Sequence, residues 1–392
     1  NMIGAGASHS CAANEGGELY CWGSNLYAQL GDGSRLSRRV AVRSHEITGI
    51  AALDVSGERS CVRTQTGSYL CWGLDRYGEA GGDGKAGHSQ PAEPVRALSQ
   101  VQQLVSGLWH SCALIEDGSV NCWGRNYLGS VGQIGLGVGD VAPVVGLDRP
   151  VRELAAGGNH TCGLGEDDAV YCWGQNNHAQ LGDGTVTSRS HAVQVSALRG
   201  LRHLGFGRES SCGLRDDATA ACWGRNTHGQ LGDGTNGRRQ VPTPVRDLVA
   251  VRAISAAYLS SCALHEDGTV SCWGYNGYGD LGDGTNRGHY IPAAVVDLTG
   301  ITALASGRHH HCGLGDQGRV FCWGHNGYGQ LGDGTGTSRR RAVAVESLEG
   351  VTKIALGEYA TCAVAADQQV WCWGRNDVGV CGDAGVNHRR SP

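Results

Sequence analysis

Sixteen of the 17 cysteines fall into eight pairs whose members stand ten positions apart, and successive pairs recur every 50 or 51 residues. The pairs are Cys11 with Cys21, Cys61 with Cys71, Cys112 with Cys122, Cys162 with Cys172, Cys212 with Cys222, Cys262 with Cys272, Cys312 with Cys322 and Cys362 with Cys372. The second cysteine always opens a Cys-Trp-Gly triplet, from Trp22 to Trp373. A period of this length, held almost without drift along 392 residues, restricts the chain to a repeat architecture. Glycine, at 65 residues against one Met and two Phe, favours short strands joined by tight turns. One domain spanning residues 1–392 is expected, with its first and last repeats incomplete.

The unit around Cys262 shows the pattern. Residues 251–257 suit a first strand and 261–264 a second, with Glu266-Asp267-Gly268 as the turn between second and third. Residues 270–273 alternate as a third strand. A Gly-rich loop over 275–285 then leads to an outer strand at 292–296, with Pro292 near its start. Four strands per repeat predict a blade of an all-β propeller. A helical solenoid would need apolar residues at a 3.6-residue period, which the repeat lacks.

The recurring segments Gly307-Arg-His-His-His-Cys-Gly-Leu314, Gly318-Arg-Val-Phe-Cys-Trp-Gly324 and Asn326-Gly-Tyr-Gly-Gln-Leu-Gly332 resemble the RCC1 repeat, and the resemblance covers the whole chain. It implies a β-propeller of RCC1-like four-stranded blades. The paired cysteines depart from the family, whose position before the Trp is usually small. The family most often closes seven blades; the eight triplets here favour eight, and seven plus an unclosed unit stays open. The first unit lacks most of its opening strand and the last stops at Pro392 before an outer strand. A longer native chain, or a strand donated by a neighbouring molecule, would complete the ring. With its only Met at position 2, the chain reads as a processed product or excised domain.

Partners ten positions apart around a short turn lie opposite one another on two antiparallel strands, where Cα separations of ~4.5–5.5 Å suit a disulfide. A disulfide within each unit is therefore expected. Structural zinc is the rival, but its cysteines usually stand two to four residues apart. Eight disulfides imply an oxidising compartment, so an extracellular, secreted or cell-surface location is expected. Cys381 is the odd one, at the position Leu281 and Leu331 hold in their units. Two readings stand: a buried thiol replacing Leu, or an intermolecular link.

Several surfaces are candidates. The repeated Trp residues suit packing between blades better than a light-sensing cluster, whereas Trp109 and Trp371 fall outside the repeat. Asp32, Asp183, Asp233, Asp283 and Asp333, with weaker counterparts at Asp83 and Asp383, sit in Gly-rich loops and suit turn capping better than calcium. The loops that follow carry Arg35, Arg38, Arg39, Arg189, Arg238, Arg239, Arg287, Arg339, Arg340, Arg341, Arg389 and Arg390, a broken basic ring on one face. The second unit offers only Lys85 and His88 there. Such a ring fits an acidic partner; a solvated rim neutralised by the neighbouring Asp residues is the alternative. Ile134, Leu136 and Val138 make an apolar loop in the third unit. His9, His110, His160 and His310 recur two residues before the first cysteine.

A net charge of −5 gives no pull toward nucleic acid, and no apolar run is long enough for a membrane helix. No nucleophile elbow, phosphate loop or dinucleotide fingerprint is present, so no enzyme, cofactor or metal is expected. The resemblance implies a binding role, since family members include a nuclear exchange factor and a secreted bacterial inhibitor of β-lactamases. The leading expectation is an extracellular binding scaffold that presents a loop-rich face to a protein or glycan. A structural subunit that self-associates through the incomplete terminal blade is the second, and an enzyme built from propeller loops the third.

Overall fold

The computed structural model describes residues 2–44, 47–82, 87–89, 98–135, 138–195 and 198–392. Asp83, Lys85 and Leu136 lie outside the described residues, as do the side chains of His88 and Val138.

Each repeat folds into one antiparallel sheet in which sequence neighbours pair, and eight such sheets form the eight blades of a propeller. In the sixth blade the strands run Val251–Ala256, Ser260–His265, Val270–Gly274 and His289–Ala294, from the innermost outward. The outer strand starts three residues earlier than expected, which puts Pro292 inside it. Its register shifts between Cys272 and Gly274, so Pro292 falls at the bulge of an edge strand, where no ladder donor is required.

All eight expected disulfides form within their own hairpins. In the first four blades Cys11 is bonded to Cys21, Cys61 to Cys71, Cys112 to Cys122 and Cys162 to Cys172. In the last four Cys212 is bonded to Cys222, Cys262 to Cys272, Cys312 to Cys322 and Cys362 to Cys372. The cysteines of a pair are directly opposed, as Cys262 is to Cys272, and their Cα atoms are 4.1–4.2 Å apart. That is shorter than the separation expected from the spacing, because each pair sits at a non-hydrogen-bonded position, where antiparallel strands approach most closely. Fifteen of the sixteen half-cystines are 0–2 % exposed and Cys372 is 7 % exposed, so the bridges are part of the core.

That core is divided into clusters lying between adjacent blades. Between the sixth and seventh, Cys262, Leu264, Leu281, Val295 and Leu298 pack on Ile301 and Trp323. The Trp of Cys-Trp-Gly is the hinge of each seam. Trp323 donates its indole N–H to the carbonyl of Asp280 at 3.0 Å, and Trp373 does the same to Gln330 at 2.9 Å. The glycine beyond that carbonyl lies flat on the ring: a Cβ on Gly332 would sit 2.7 Å from the Trp373 nitrogen. The Asn-x-x-x-Gln/Asp-Leu-Gly part of the repeat is thus a socket for the next blade's tryptophan.

The ring closes within one chain. Trp22 of the first blade reaches the Val380 carbonyl at 2.7 Å, across 358 positions of sequence. One expectation about the ends changes here and one holds. The inner strand of the first blade is present as Met2–Ala5 and pairs with Ser10–Ala13, shortened rather than lost. The eighth blade has three strands, and its outer position is held by one bridge, Gly374↔Arg389. Among the described residues no helix is long and apolar enough to cross a membrane.

Candidate functional site

The up-and-down order of every blade sends two sets of loops to one side of the disc: those from inner to second strand and those from third to outer strand. The short hairpin turns between second and third strands open on the other side.

On the loop side, most of the expected basic ring is already paired. Asp32 bonds Arg38 at 2.7 Å, Asp183 bonds Arg189 at 2.7 Å and Asp333 bonds Arg339 at 2.6 Å; Asp233 does the same with Arg239. Asp383 holds Arg389 at 3.2 Å, and Asp283 holds His289 at 2.7 Å. Each Asp also caps its own turn, as Asp183 does for the Thr185 N–H at 3.0 Å, and accepts from the Asn seven positions earlier. Burial pushes the carboxyls of Asp32, Asp183, Asp233, Asp283 and Asp333 up, but the hydroxyl, amide and basic donors more than offset it and hold them below the usual range. Arg38, Arg189, Arg239 and Arg339 therefore tie down loops. Arg341 pairs with Asp297 at 2.8 Å, and Arg238 reaches the Asn177 carbonyl. Arg39, Arg287 and Arg340 stay exposed to solvent. The third blade replaces the Asp with Gln133, which bonds the carbonyls of Cys122, Asp140 and Ala142. Its neighbour Ile134 is 81 % exposed.

His9, His110, His160 and His310 are fully buried and do not line the channel. Each imidazole crosses a seam: His110 Nε2 meets the Thr161 hydroxyl at 2.7 Å and His160 meets Ser211 at 2.9 Å. Burial pushes all four down to about 3, so they are neutral at physiological pH. The ring lies against the glycine three residues earlier, where a Cβ on Gly107 would come 2.3 Å from His110. In the second blade this position holds Arg59, buried and bonded to the Gly107 carbonyl at 2.7 Å, with Glu79, Asp54 and Asp75 around it. Cys381 is 9 % exposed and its thiol is pushed up to about 12, by burial first and then by Asp383. That setting suits a hydrophobic filler and not a reactive joint.

What the sequence reading missed is an aromatic belt on the loop side, running from the fifth blade to the eighth. Tyr275 stands edge-on to His228 at 5.4 Å between ring centres, and Tyr275 and Tyr278 flank His309 at 5.6 and 5.5 Å. Tyr278 continues to His325 at 4.7 Å, and Tyr328 meets Tyr359 at 5.2 Å and His388 at 4.9 Å. Asp280 accepts from or pairs with His309 at 3.2 Å. A smaller patch lies across the disc: Trp109 stands edge-on to Tyr77 at 6.0 Å, and Arg125 covers Tyr77 and Tyr127 at 4.8 and 5.3 Å. The signal for the belt was in the repeat. Stacking the eight units puts a Tyr or His in the turn after Cys-Trp-Gly in each of the first seven, and a second one directly after the Gly, Tyr275 and His325, in the sixth and seventh.

At the centre of this face the ends of the eight inner strands surround a cavity of about 370 Å³. Its rim carries Ala7, Gly57, Leu108, Gly158, Arg208, Tyr258, Arg308 and Glu358, one residue from each blade. Among the described residues no group of three His, Cys, Asp or Glu side chains is placed to hold a metal.

The chain matches the family model described as the Regulator of chromosome condensation (RCC1) repeat over residues 3–29, 101–130, 151–180, 201–230, 251–280, 301–330 and 351–380. A second model of the same repeat matches 167–214, 222–264, 267–314 and 317–364. The chain is 31% identical over 146 residues to the ultraviolet-B receptor UVR8 of Arabidopsis thaliana. That match covers 36% of this chain and 33% of the receptor, about a third of the relative's length. Human WBSCR16 superposes with a TM-score of 0.70 at 21% identity, over 87% of this chain and 96% of its own. Prp20p of Saccharomyces cerevisiae, which binds Gsp1p and histones, superposes at 0.69 and 19% identity, over 88% and 91%. At such identities the likeness shows a shared fold.

Proposed function

We propose, from the premise that this chain belongs to the RCC1 repeat family, that it is a binding scaffold outside the cytosol that grips a protein through its loop side. RCC1-like propellers are in general protein-interaction scaffolds. The observation that carries the reading here is the belt of Tyr275, Tyr278, His309, His325, Tyr328 and Tyr359, bordered by Arg308 and Arg375. Tyrosine and arginine dominate binding hot spots because they bury large areas and keep a polar handle. The eight buried disulfides support an oxidising compartment, since hairpin cross-links persist outside the cytosol.

The experiment compares two surfaces of one molecule. The intact protein is immobilised and offered the secreted proteins and surface glycans of its source. Tyr328→Ser with Tyr359→Ser should abolish capture of a saturable partner, and Glu266→Lys with Asp267→Lys on the hairpin side should leave it unchanged. Equal loss from both pairs would sink the reading. A glycan as the sole captured species would move the partner class. A natural protein with more than one titratable thiol would overturn the compartment.

A further inference from the structure

Two histidines of the belt are tied at the same ring nitrogen to partners of opposite character. The Nδ1 of His309 meets one carboxylate oxygen of Asp280 at 3.2 Å, and the other oxygen accepts the Tyr278 backbone N–H at 3.0 Å. In the seventh blade Gln330 stands where the sixth has Asp280. The Nδ1 of His325 meets the side-chain nitrogen of Gln330 at 2.6 Å, and the Oε1 of that amide accepts the Tyr328 backbone N–H at 3.0 Å.

The second arrangement fixes a proton. Gln330 is 0 % exposed, and with its Oε1 taken by Tyr328 only its NH2 group faces the imidazole. An amide NH2 only donates, so the Nδ1 of His325 accepts and the ring carries its proton on Nε2. Turning the amide over would set its NH2 against the Tyr328 N–H. Gln330 is also pinned by its own carbonyl, which accepts from the Trp373 indole and the Thr361 hydroxyl, each at 2.9 Å. A second proton on His325 therefore costs the bond to Gln330, whereas His309 donates to Asp280 in either state.

The surrounding charges give an imidazolium at His325 no free partner. Asp280 is engaged by His309, Glu358 faces Arg308 at 3.6 Å, and Asp377 holds Arg375 at 2.7 Å. Arg308 lies against Tyr359, and Arg375 and His388 lie against Tyr328. Burial first, and then the nearby His309, lower the pKa of His325 from 6.5, and Asp280 offsets part of the shift. His310, buried beneath, is itself pushed down in part by His325.

We propose that acid opens the belt: protonation of His325 breaks its bond to Gln330 and turns the ring away from Tyr278 and Tyr359, so a protein held there at neutral pH is let go. The inference rests on the loop-side reading above and names how that site is regulated. His325 is placed to act on the whole belt, because its ring lies 4.7 Å from Tyr278, 6.0 Å from Tyr328 and 6.2 Å from Tyr359, on three successive blades. The sign follows from the neutral form being the one the belt holds. The closed arrangement is complete above 6.5 and is lost as the pH falls from there.

The test uses the intact protein with isotope-labelled histidine. The His325 resonances, assigned by their absence in His325→Gln, should show the Nε2–H form at neutral pH and titrate below 6.5. Hydroxyl-radical labelling of Tyr278 and Tyr359, located by mass spectrometry, should rise with the same midpoint. Gln330→Glu supplies a carboxylate, as Asp280 does for His309, and Glu79 already accepts the matching Tyr77 N–H in the second blade. That variant should raise the His325 midpoint and keep both tyrosines covered to lower pH. A proton on Nδ1 at neutral pH, a His325 that stays neutral down to about pH 4.5, or tyrosine labelling that does not follow its titration would overturn the switch. Secreted proteins captured at neutral pH should bind about tenfold more weakly in acid, the worth of one dismantled hot-spot contact, and less so with Gln330→Glu. Retention in acid while the labelling rises would overturn the release. Absence of capture at every pH would overturn the loop-side reading and the release with it, while the resonances and the labelling, which need no partner, still decide the switch.

Discussion

The seam between the seventh and eighth blades and the seam that closes the ring from the eighth to the first use the same device and end with different packing. In both, an indole N–H meets a carbonyl of the preceding blade, at 2.9 Å for Trp373 and 2.7 Å for Trp22. At the ordinary seam, Leu331, Val345 and Leu348 fill the space around Cys312, Cys322 and Trp373. At the closing seam Cys381 stands in place of Leu331, and among the described residues no Val or Leu packs there as Val345 and Leu348 do at the ordinary one. The consequence is local: Val370 is 36 % exposed where its counterpart Val320 is 0 % exposed. A cavity of about 260 Å³ opens there, lined by Tyr20, Trp22, Val370, Cys372 and Cys381. The ring is closed by the indole hydrogen bond that six of the other seven blades make, the fourth blade's Trp173 having no partner, whereas the apolar burial that stabilises the other seams is only partly present.

Truncation at matched positions gives the largest expected contrast. Leu331→Ala should cost about 2–5 kcal/mol, the usual range for emptying a packed leucine site. Cys381→Ala should cost under about 1.5 kcal/mol, because fewer atoms are removed from a site open on one side. Chemical denaturation of both variants measures this, and equal losses would mean that the closing seam is as well packed as its neighbour.

Reduction comes next. Each bridge closes a loop between cysteines ten positions apart, worth about 2–3 kcal/mol in the chain-entropy account. The bridge between Cys362 and Cys372 should open first under limiting reductant, since Cys372 is the half-cystine with the most exposure. Mass spectrometry after partial reduction and alkylation would locate the first pair. Prior opening of the bridge between Cys312 and Cys322 would reverse the ranking of the two seams.

What was legible in the sequence follows the same division between what repeats and what does not. The cysteine and Trp-Gly register was enough to place the hairpins, because the spacing across a turn leaves one antiparallel pairing. The outer strand begins before the point its sequence suggests, because Pro292 looks like a strand start and the bulge that accommodates it has no residue signature of its own. The arginines look like a binding ring when read one loop at a time. Their pairing is written in the spacing, since Asp32/Arg38, Asp183/Arg189, Asp233/Arg239 and Asp333/Arg339 all stand six positions apart. The aromatic residues of the belt are visible in the repeat, as a Tyr or His in the turn after Cys-Trp-Gly, but the contacts that join them and the rim of the central cavity are not. Tyr258, Arg308 and Tyr359 come from the sixth, seventh and eighth blades and meet only once those blades are stacked, so local pattern carries no trace of their contact.

Acid sharpens the contrast at the next scale down. His310 spans the ordinary seam, its Nε2 meeting the Thr361 hydroxyl at 3.0 Å, and the closing seam has Ala360 at the matching position. Burial lowers His310 from 6.5 to about 3, and the nearby His311, His325 and His309 push in the same direction. A folded-state value below the unfolded one means that stability is fully present above about 6.5 and falls as the pH drops from there toward 3. The slope is at most about 1.4 kcal/mol per pH unit for each imidazole. Denaturation midpoints between pH 7 and 4.5 should therefore fall less steeply for His310→Gln than for the parent, by one proton's share. An unchanged slope would show that His310 is already protonated or solvated in the native ring.

The smallest expected effect runs the other way. Five blades place leucine where the eighth has Cys381, and Leu30, Leu181, Leu231, Leu281 and Leu331 are all 0 % exposed. Cys381 borders the 260 Å³ cavity, so a larger side chain has room on that side without displacing Trp22 or Cys372. Cys381→Leu should raise stability by about 1 kcal/mol, close to the worth of one added buried methylene. It also removes the single unpaired thiol, so the variant should give no signal in a thiol titration. A gain in the thermal midpoint would mean that the closing seam is under-filled and accepts the packing of its neighbours. A loss would mean that the side chain points at Cys362, Cys372 and Trp22 and not into the opening, as overfilled cores behave. The closing seam would then be fully packed around a smaller residue, and its cavity would belong to whatever docks beside Val370.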